Sequence, residues 1–216
     1  MSLTACRLDH LVICANELQT AVAWFHKLSG ITLPAGGSHP LMGTHNHLSA
    51  LSENAFLEII ATDPSNPVTS RKRWFNLDDA EFQHQLRKSP RLSTWVVATD
   101  DLEAALSTVK NSGIDAGIPV EQARDDLKWQ IAIRSDGTLA CDGVFPILIQ
   151  WPESVNPVAR MQDQGLRLNH LQLQHPQADQ ICAALQAIGL GMTENVTEGD
   201  AGLRAEMSVG NHSFRL

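Results

Sequence analysis

Three side chains in this 216-residue chain have the types and spacing of a reactive site: His10, His39 and Glu58. Glu58 interrupts the run AFLEII, which otherwise reads as a buried strand. A carboxylate withdrawn from water is costly unless a cation, a metal ion or a hydrogen-bonded ligand faces it. His10 lies in a similar run, LDHLVICA, where alternation puts His10, Val12 and Cys14 on one face and Leu11 and Ile13 on the other. An imidazole and a carboxylate on adjacent strands have three uses. They bind Mn, Fe, Ni or Zn, they hydrogen-bond each other or a water, or they act on a substrate as acid and base. A metal needs a third donor. His39 in GGSHP is the first candidate, with His45 and His170 behind it, because two histidines and a glutamate leave coordination positions open. Glu58 and His39 are the candidate catalytic groups.

The stretch from Gly36 to Ile60 supplies the candidate substrate contacts. Gly36 and Gly37 make either a lip that delivers His39 or a tight turn between strands. If Leu48 and Ala50 line a cup, so does Asn46, whose amide both donates and accepts; His45 and His47 then face away. Thr44, Asn46 and Gly37 are therefore placed at the substrate. Trp129 and Trp151, with Trp95, read as core or pocket wall. Arg71, Lys72, Arg73 and Trp74 make either a clamp for an anion or a solvated helix end. His26, His84, His175 and His212 belong to no constellation and read as structural.

The elements that must position these groups repeat. Leu8–Ala15 is a strand, followed by a helix with Asn16 and Gln19 as a capping box, an apolar stripe of Leu18, Ala21, Val22, Phe25 and Leu28, and a terminal Gly30. Strands near 32–35, 44–51 and 55–61 complete a β-α-β-β-β unit. The unit recurs from Leu92, with Asp100 and Glu103 as the capping box and Gly113 as the stop, and strands near 117–121, 128–134 and 144–151. It recurs again from Leu168, with Pro176 in the first helical turn and Gly189 as the stop. The distances His10 to Gly30, Thr94 to Gly113 and His170 to Gly189 are 20, 19 and 19 residues. Each unit is a supersecondary module, longer than a solenoid repeat. The expected organisation is module one over residues 1–63, a helical insert over 64–91 (its helix from Thr69 to Lys88), module two over 92–152 paired with module one, and a third module over 158–216.

Composition narrows the partners. With a net charge of −8 and no basic cluster beyond residues 71–73, nucleic acid is not expected. Four cysteines without CxxC spacing fit a reducing compartment. The opening MSLTACRLDH has no secretion-signal pattern and no apolar run approaches a membrane span, so a cytoplasmic protein is expected.

LDHLVICA, the series GGSHPLMGTHNHLSAL and AFLEIIATDP together resemble the glyoxalase-like branch of the vicinal oxygen chelate superfamily, over about residues 7–152. That resemblance implies an α+β fold in which tandem β-α-β-β-β modules form a cupped mixed sheet, with the third module appended. It implies a divalent metal at His10 and Glu58, and lyase, isomerase or dioxygenase chemistry on a small oxygenated metabolite. The alternative is a binding protein of the same fold without turnover. Module two departs from the family pattern, with Thr94 at the histidine position and Ile147 or a neighbour at the glutamate position. The third module either seals an open sheet edge or pairs across a two-fold axis, which would make a homodimer.

Overall fold

The computed structural model describes residues 6–66, 70–124, 127–153 and 155–216. Module one comprises β1 (Arg7–Ala15), α1 (Leu18–Ser29), β2 (Ala35–His39), β3 (Thr44–Ala50) and β4 (Phe56–Thr62). The insert carries α2 (Ala80–Lys88). Module two comprises β5 (Arg91–Ala98), α3 (Leu102–Asn111), β6 (Ile118–Arg124), β7 (Leu127–Ile133) and β8 (Ile147–Gln150). The last part holds β9 (Leu166–Gln174), α4 (Ala178–Ala187), β10 (Val196–Thr197), β11 (Gly202–Val209) and β12 (His212–Arg215).

The first two modules form one eight-stranded sheet in the order β2-β3-β4-β1-β5-β8-β7-β6. In each module the last strand returns parallel to the first, and β1 joins β5 antiparallel at the seam. The sheet curls into a half-barrel, bringing its edge strands β2 and β6 close together. Alternation along the strands sorts the core by face. Leu11, Ile13, Leu57, Ile59, Trp95 and Val97 pack outward under α1 and α3, while Val12, Cys14, Ile60, Val96, Trp129 and Ile149 line the hollow. Each large apolar side chain buried this way contributes about 1.5–3 kcal/mol.

The third module forms its own four-stranded sheet, β10-β9-β11-β12. It keeps the order β-α-β-β-β, but β10 and β11 flank β9, so its pairing is not that of the first two. Its Leu171, Leu173, Ile181, Leu185 and Met207 join the same outward core as the helices of the large sheet. Phe214 meets Phe25 edge-on at 5.8 Å, and Gln180 donates to the Ser112 carbonyl at 3.0 Å. The third module therefore covers the helix face rather than a sheet edge. It has its partner within the chain, contrary to the premise that motivated a homodimer. Among the described residues no helix is long and apolar enough to cross a membrane.

Three local expectations shift. The helix caps are Glu17 and Asp101, each one residue later than Asn16 and Asp100. The Glu17 carboxylate reaches the Gln19 and Thr20 amides at 3.0 and 2.8 Å, and Asp101 reaches that of Ala104 at 2.9 Å. Gly36 and Gly37 stand inside β2, neither lip nor turn; the turn is made by residues 40–43. The insert helix begins only at Ala80, capped by Asp79, and Thr69, where it was expected to begin, lies outside the described residues. Before α2 the chain is turned by Phe75 and Asn76 in the left-handed region (φ 58° and 59°), and the Arg73–Asp78 pair at 2.6 Å closes the loop.

Candidate active site

The site forms where β1 and β4 run side by side at the centre of the hollow. Glu58 lies opposite Val12 on β1 and Leu48 on β3, and its Oε2 is 3.6 Å from His10 Nε2. Its Oε1 accepts a hydrogen bond of 2.6 Å from the Asn46 side-chain amide. The Asn46 carbonyl in turn accepts from the Gly37 N–H at 2.9 Å. A Cβ on Gly36 would stand 2.2 Å from that carbonyl oxygen, so this glycine is required for β2 to approach Asn46.

Behind His10 the pairing of β1 with β5 slips, from Leu8 opposite Val97 to His10 opposite Val96. The extra residue is Asp9. Regular alternation would send Asp9 to the opposite face from His10; the bulge brings both into one network. Asp9 Oδ1 lies 2.5 Å from His10 Nδ1, and Oδ2 accepts from the Trp151 indole at 2.8 Å. The Phe56 ring stacks on the imidazole at 4.3 Å. The connected row is Trp151, Asp9, His10, Glu58, Asn46 and Gly37. Asp9, His10, Asn46 and Glu58 are only 4–5% exposed, so their electrostatics operate out of bulk water.

His39 ends β2 on the same cavity. Its Nδ1 is 3.1 Å from Thr44 Oγ1, and its ring stands edge-on to Trp74 at 5.0 Å and to Trp129 at 6.2 Å. The cavity is small, about 40 Å³, and is closed by Phe56, Trp74, Trp129 and Trp151, and by Pro157 and Met161. The last two belong to the segment joining module two to the third module. The indole Nε1 of Trp74 is buried with no hydrogen-bond partner among the described residues.

Strand register assigns the equivalent positions of module two. Val12 pairs with Glu58 and Val96 with Ile147; two residues before each stand His10 and Thr94. Asn46 pairs with Ile60, and Ile131 with Ile149, so Ile131 occupies the place of Asn46. Thr94 donates its hydroxyl to the Gly143 carbonyl at 3.1 Å. At these three positions module two thus brings no imidazole, amide or carboxylate, and its tryptophans wall the hollow.

The three side chains expected to hold a metal ion, His10, Glu58 and His39, line this one cavity. Both ring nitrogens of His10 face carboxylates, one oxygen of Glu58 is taken by Asn46, and His39 is turned to Thr44. Among the described residues no group of three or more His, Cys, Asp or Glu side chains is arranged to hold one. Of the other candidate ligands, His45 lies on the β3 face away from Asn46 and His170 is exposed on β9 in the separate sheet. His47, beside His45, bonds the Leu33 carbonyl at 2.6 Å. His175 accepts from the Gln177 amide at 3.0 Å, as a structural histidine does.

Of the residues expected at the site, His10, Glu58, Asn46, His39, Trp129 and Trp151 line one hollow, while Thr44 and Gly37, expected at the substrate, stand behind it against His39 and Asn46. Sequence reasoning missed Asp9, Phe56, Trp74 and Met161. Asp9 was within reach of the argument made for Glu58, since it too is an acid in an apolar strand. Cys14, on the same face as His10, is no nucleophile: burial pushes its thiol up to about 12, Ser93 opposing by a hydrogen bond and the Glu58 charge adding to the rise.

A family model described as a glyoxalase-like domain matches residues 8–189. No curated protein matches the chain. Among solved structures, a hypothetical protein from Staphylococcus aureus is similar over 98% of this chain and 85% of its own, with 16% identity and a TM-score of 0.57. A methylmalonyl-CoA epimerase in complex with methylmalonyl-CoA and NH4+ covers 72% of this chain and 100% of its own, at 16% identity and a TM-score of 0.44. The methylmalonyl-CoA epimerase of Mycobacterium tuberculosis covers 70% and 91%, at 19% identity and a TM-score of 0.44. At these identities the likeness extends to the fold alone.

Proposed function

Since the chain belongs to the glyoxalase-like domain family of the vicinal oxygen chelate superfamily, we propose that its hollow is an enzyme active site that moves a proton on a small oxygenated metabolite, with Glu58 as the base. The observation that supports this reading is a buried carboxylate fixed on one oxygen by Asn46 at 2.6 Å, with the other oxygen directed toward His10 at 3.6 Å. Such a carboxylate takes a proton from a carbon next to a carbonyl. The C–H bond breaks, an O–H bond forms on Glu58, and the electron pair moves into an enolate. Return of the proton to the same carbon or its neighbour gives an epimer or an isomer. His10 turns Nδ1 to Asp9 and Nε2 to Glu58, and so holds the carboxylate from the side opposite Asn46. The Trp74 indole is the free donor for the enolate oxygen, and His39, oriented by Thr44, stands ready as a second acid–base group. A general base of this kind is worth about 10²–10⁴ in rate, and an oxyanion donor about 10²–10³.

Because the cavity is about 40 Å³, substrate entry displaces part of its wall. Met161 is unbranched and the readiest to move. No step is routed through a divalent metal.

The test follows α-proton exchange into D2O by proton NMR, over a panel of 2-oxo acids, 2-hydroxy ketones and acyl thioesters. The wild-type chain exchanges at least one of them, and Glu58→Gln lowers that rate about 10³-fold. Exchange survives dialysis against EDTA. Loss of exchange on chelation, restored by Mn, Fe, Ni or Zn, would transfer the reading to a metal enzyme. Tight binding with no exchange anywhere in the panel would favour the second reading, sequestration or sensing without turnover, which the apolar half of the hollow supports.

A further inference from the structure

We infer that the larger cavity outside the tryptophan pair is a second binding subsite for an uncharged, flat molecule bearing a carbonyl oxygen, and that it holds the outer part of the substrate whose reacting end reaches Glu58. The inference deepens the proposed function and rests on it for the word substrate; the subsite itself stands on separate observations.

The inner cavity has room for a reacting group of a few atoms. Immediately outside lies a cavity of about 590 Å³, within the range that holds a metabolite or cofactor-sized body. Trp129 and Trp151 wall both spaces, with ring centres 5.2 Å apart. Pro40 and Leu41 from the β2–β3 turn and Pro152 add apolar surface. Indole faces beside prolines select flat apolar bodies.

One polar group in this wall stands out. Gln122 on β6 lies directly opposite Trp129 on β7, so both side chains emerge on the concave face. Gln122 is 4% exposed, yet its amide Nε2 has no hydrogen-bond partner among the described residues. A buried donor left unpaired is unfavourable, and an incoming acceptor oxygen relieves it. The neighbouring charges, Glu121 and Lys128, are opposite in sign and exposed, so the mouth selects neither an anion nor a cation. The remaining match is a neutral acceptor, and a carbonyl oxygen on a flat body meets it.

The test uses acetophenone and α-methylstyrene, which differ only in a carbonyl oxygen exchanged for a methylene, titrated against the full chain by ligand-observed NMR. Acetophenone binds about tenfold more tightly to the wild-type chain. Gln122→Leu abolishes that preference while retaining α-methylstyrene. Gln122→Met, which is similar in size and carries no donor, does the same and stands in if the leucine variant does not fold. Trp129→Ala weakens both probes. Equal affinity for the two probes, a preference that survives either Gln122 variant, or no binding of acetophenone up to its solubility would overturn the subsite. Both probes are read by binding alone, without turnover, so a failure of the base reading is distinguishable from a failure here.

Discussion

Module one and module two present two answers to the same register. The positions that hold His10, Asn46 and Glu58 in one hold Thr94, Ile131 and Ile147 in the other. Both halves curl around the same hollow, and both bury their floor. In one half the buried groups are polar and hydrogen-bonded to each other. In the other they are apolar, with Thr94 turned to the backbone. The pairing rule of the fold thus fixes where a reactive group can stand, not whether one stands there. A base needs one polar wall to orient it and one dry wall to keep water from it, and the two halves divide that work.

The sharpest way to break this division is to place an acid in the dry half. Ile147→Glu puts a carboxylate at the position equivalent to Glu58 without Asn46 or His10 to meet it. Ile147 is half-buried, so urea denaturation should show a loss of about 3 kcal/mol, with the midpoint of unfolding recovering at low pH where the new acid is neutral. A variant as stable as wild type at pH 7 would mean that the apolar half tolerates charge. A smaller effect is expected from Gly36→Ala. The added Cβ displaces the Asn46 carbonyl, which releases the amide from Glu58. Stability falls by about 1–3 kcal/mol, and any α-proton exchange falls further than stability explains. The smallest effect concerns Cys14, whose counterpart four residues after Thr94 is Ala98. Its folded thiol holds its proton up to about 12, whereas an ordinary thiol releases it near 9.0. The unfolded chain therefore loses the proton first. Stability is intact below about 9 and falls as pH rises toward 12, by at most about 1.4 kcal/mol per unit. Cys14→Ala flattens that slope relative to wild type in chemical denaturation between pH 8 and 10.

Much of this architecture is legible in the chain because period-two alternation and capped helices are local signals. Leu11 and Ile13 part from His10 and Val12 in the sequence as they do across the sheet. The family resemblance likewise sets Thr94 against His10, and Ile147 or a neighbour against Glu58, before any coordinates are known. What is not legible is what two strands decide together. The bulge that turns Asp9 toward His10 is a property of the β1–β5 seam, absent from either strand taken singly. Trp74 enters the hollow beside a turn where Phe75 and Asn76 adopt left-handed backbone, which asparagine favours and phenylalanine seldom adopts. The surroundings of His39 are set in the same way. His39 does share the cavity, but Thr44 and the direction of β2 decide where its ring nitrogens point. The first cap moved by one residue because a carboxylate one methylene longer than asparagine's amide reaches the helix amides from Glu17.

The segment that carries Pro157 and Met161 over the hollow is also the tether of the second sheet, anchored where Asn156 donates to the Glu53 carbonyl at 3.1 Å and Gln164 to that of Thr32 at 3.1 Å. A module that contributes no reactive group thereby governs how dry the chemistry is. A chain cut back to its first two modules would keep every acid, amide and imidazole in register and work in wet surroundings, where proton transfers of this kind lose most of their advantage.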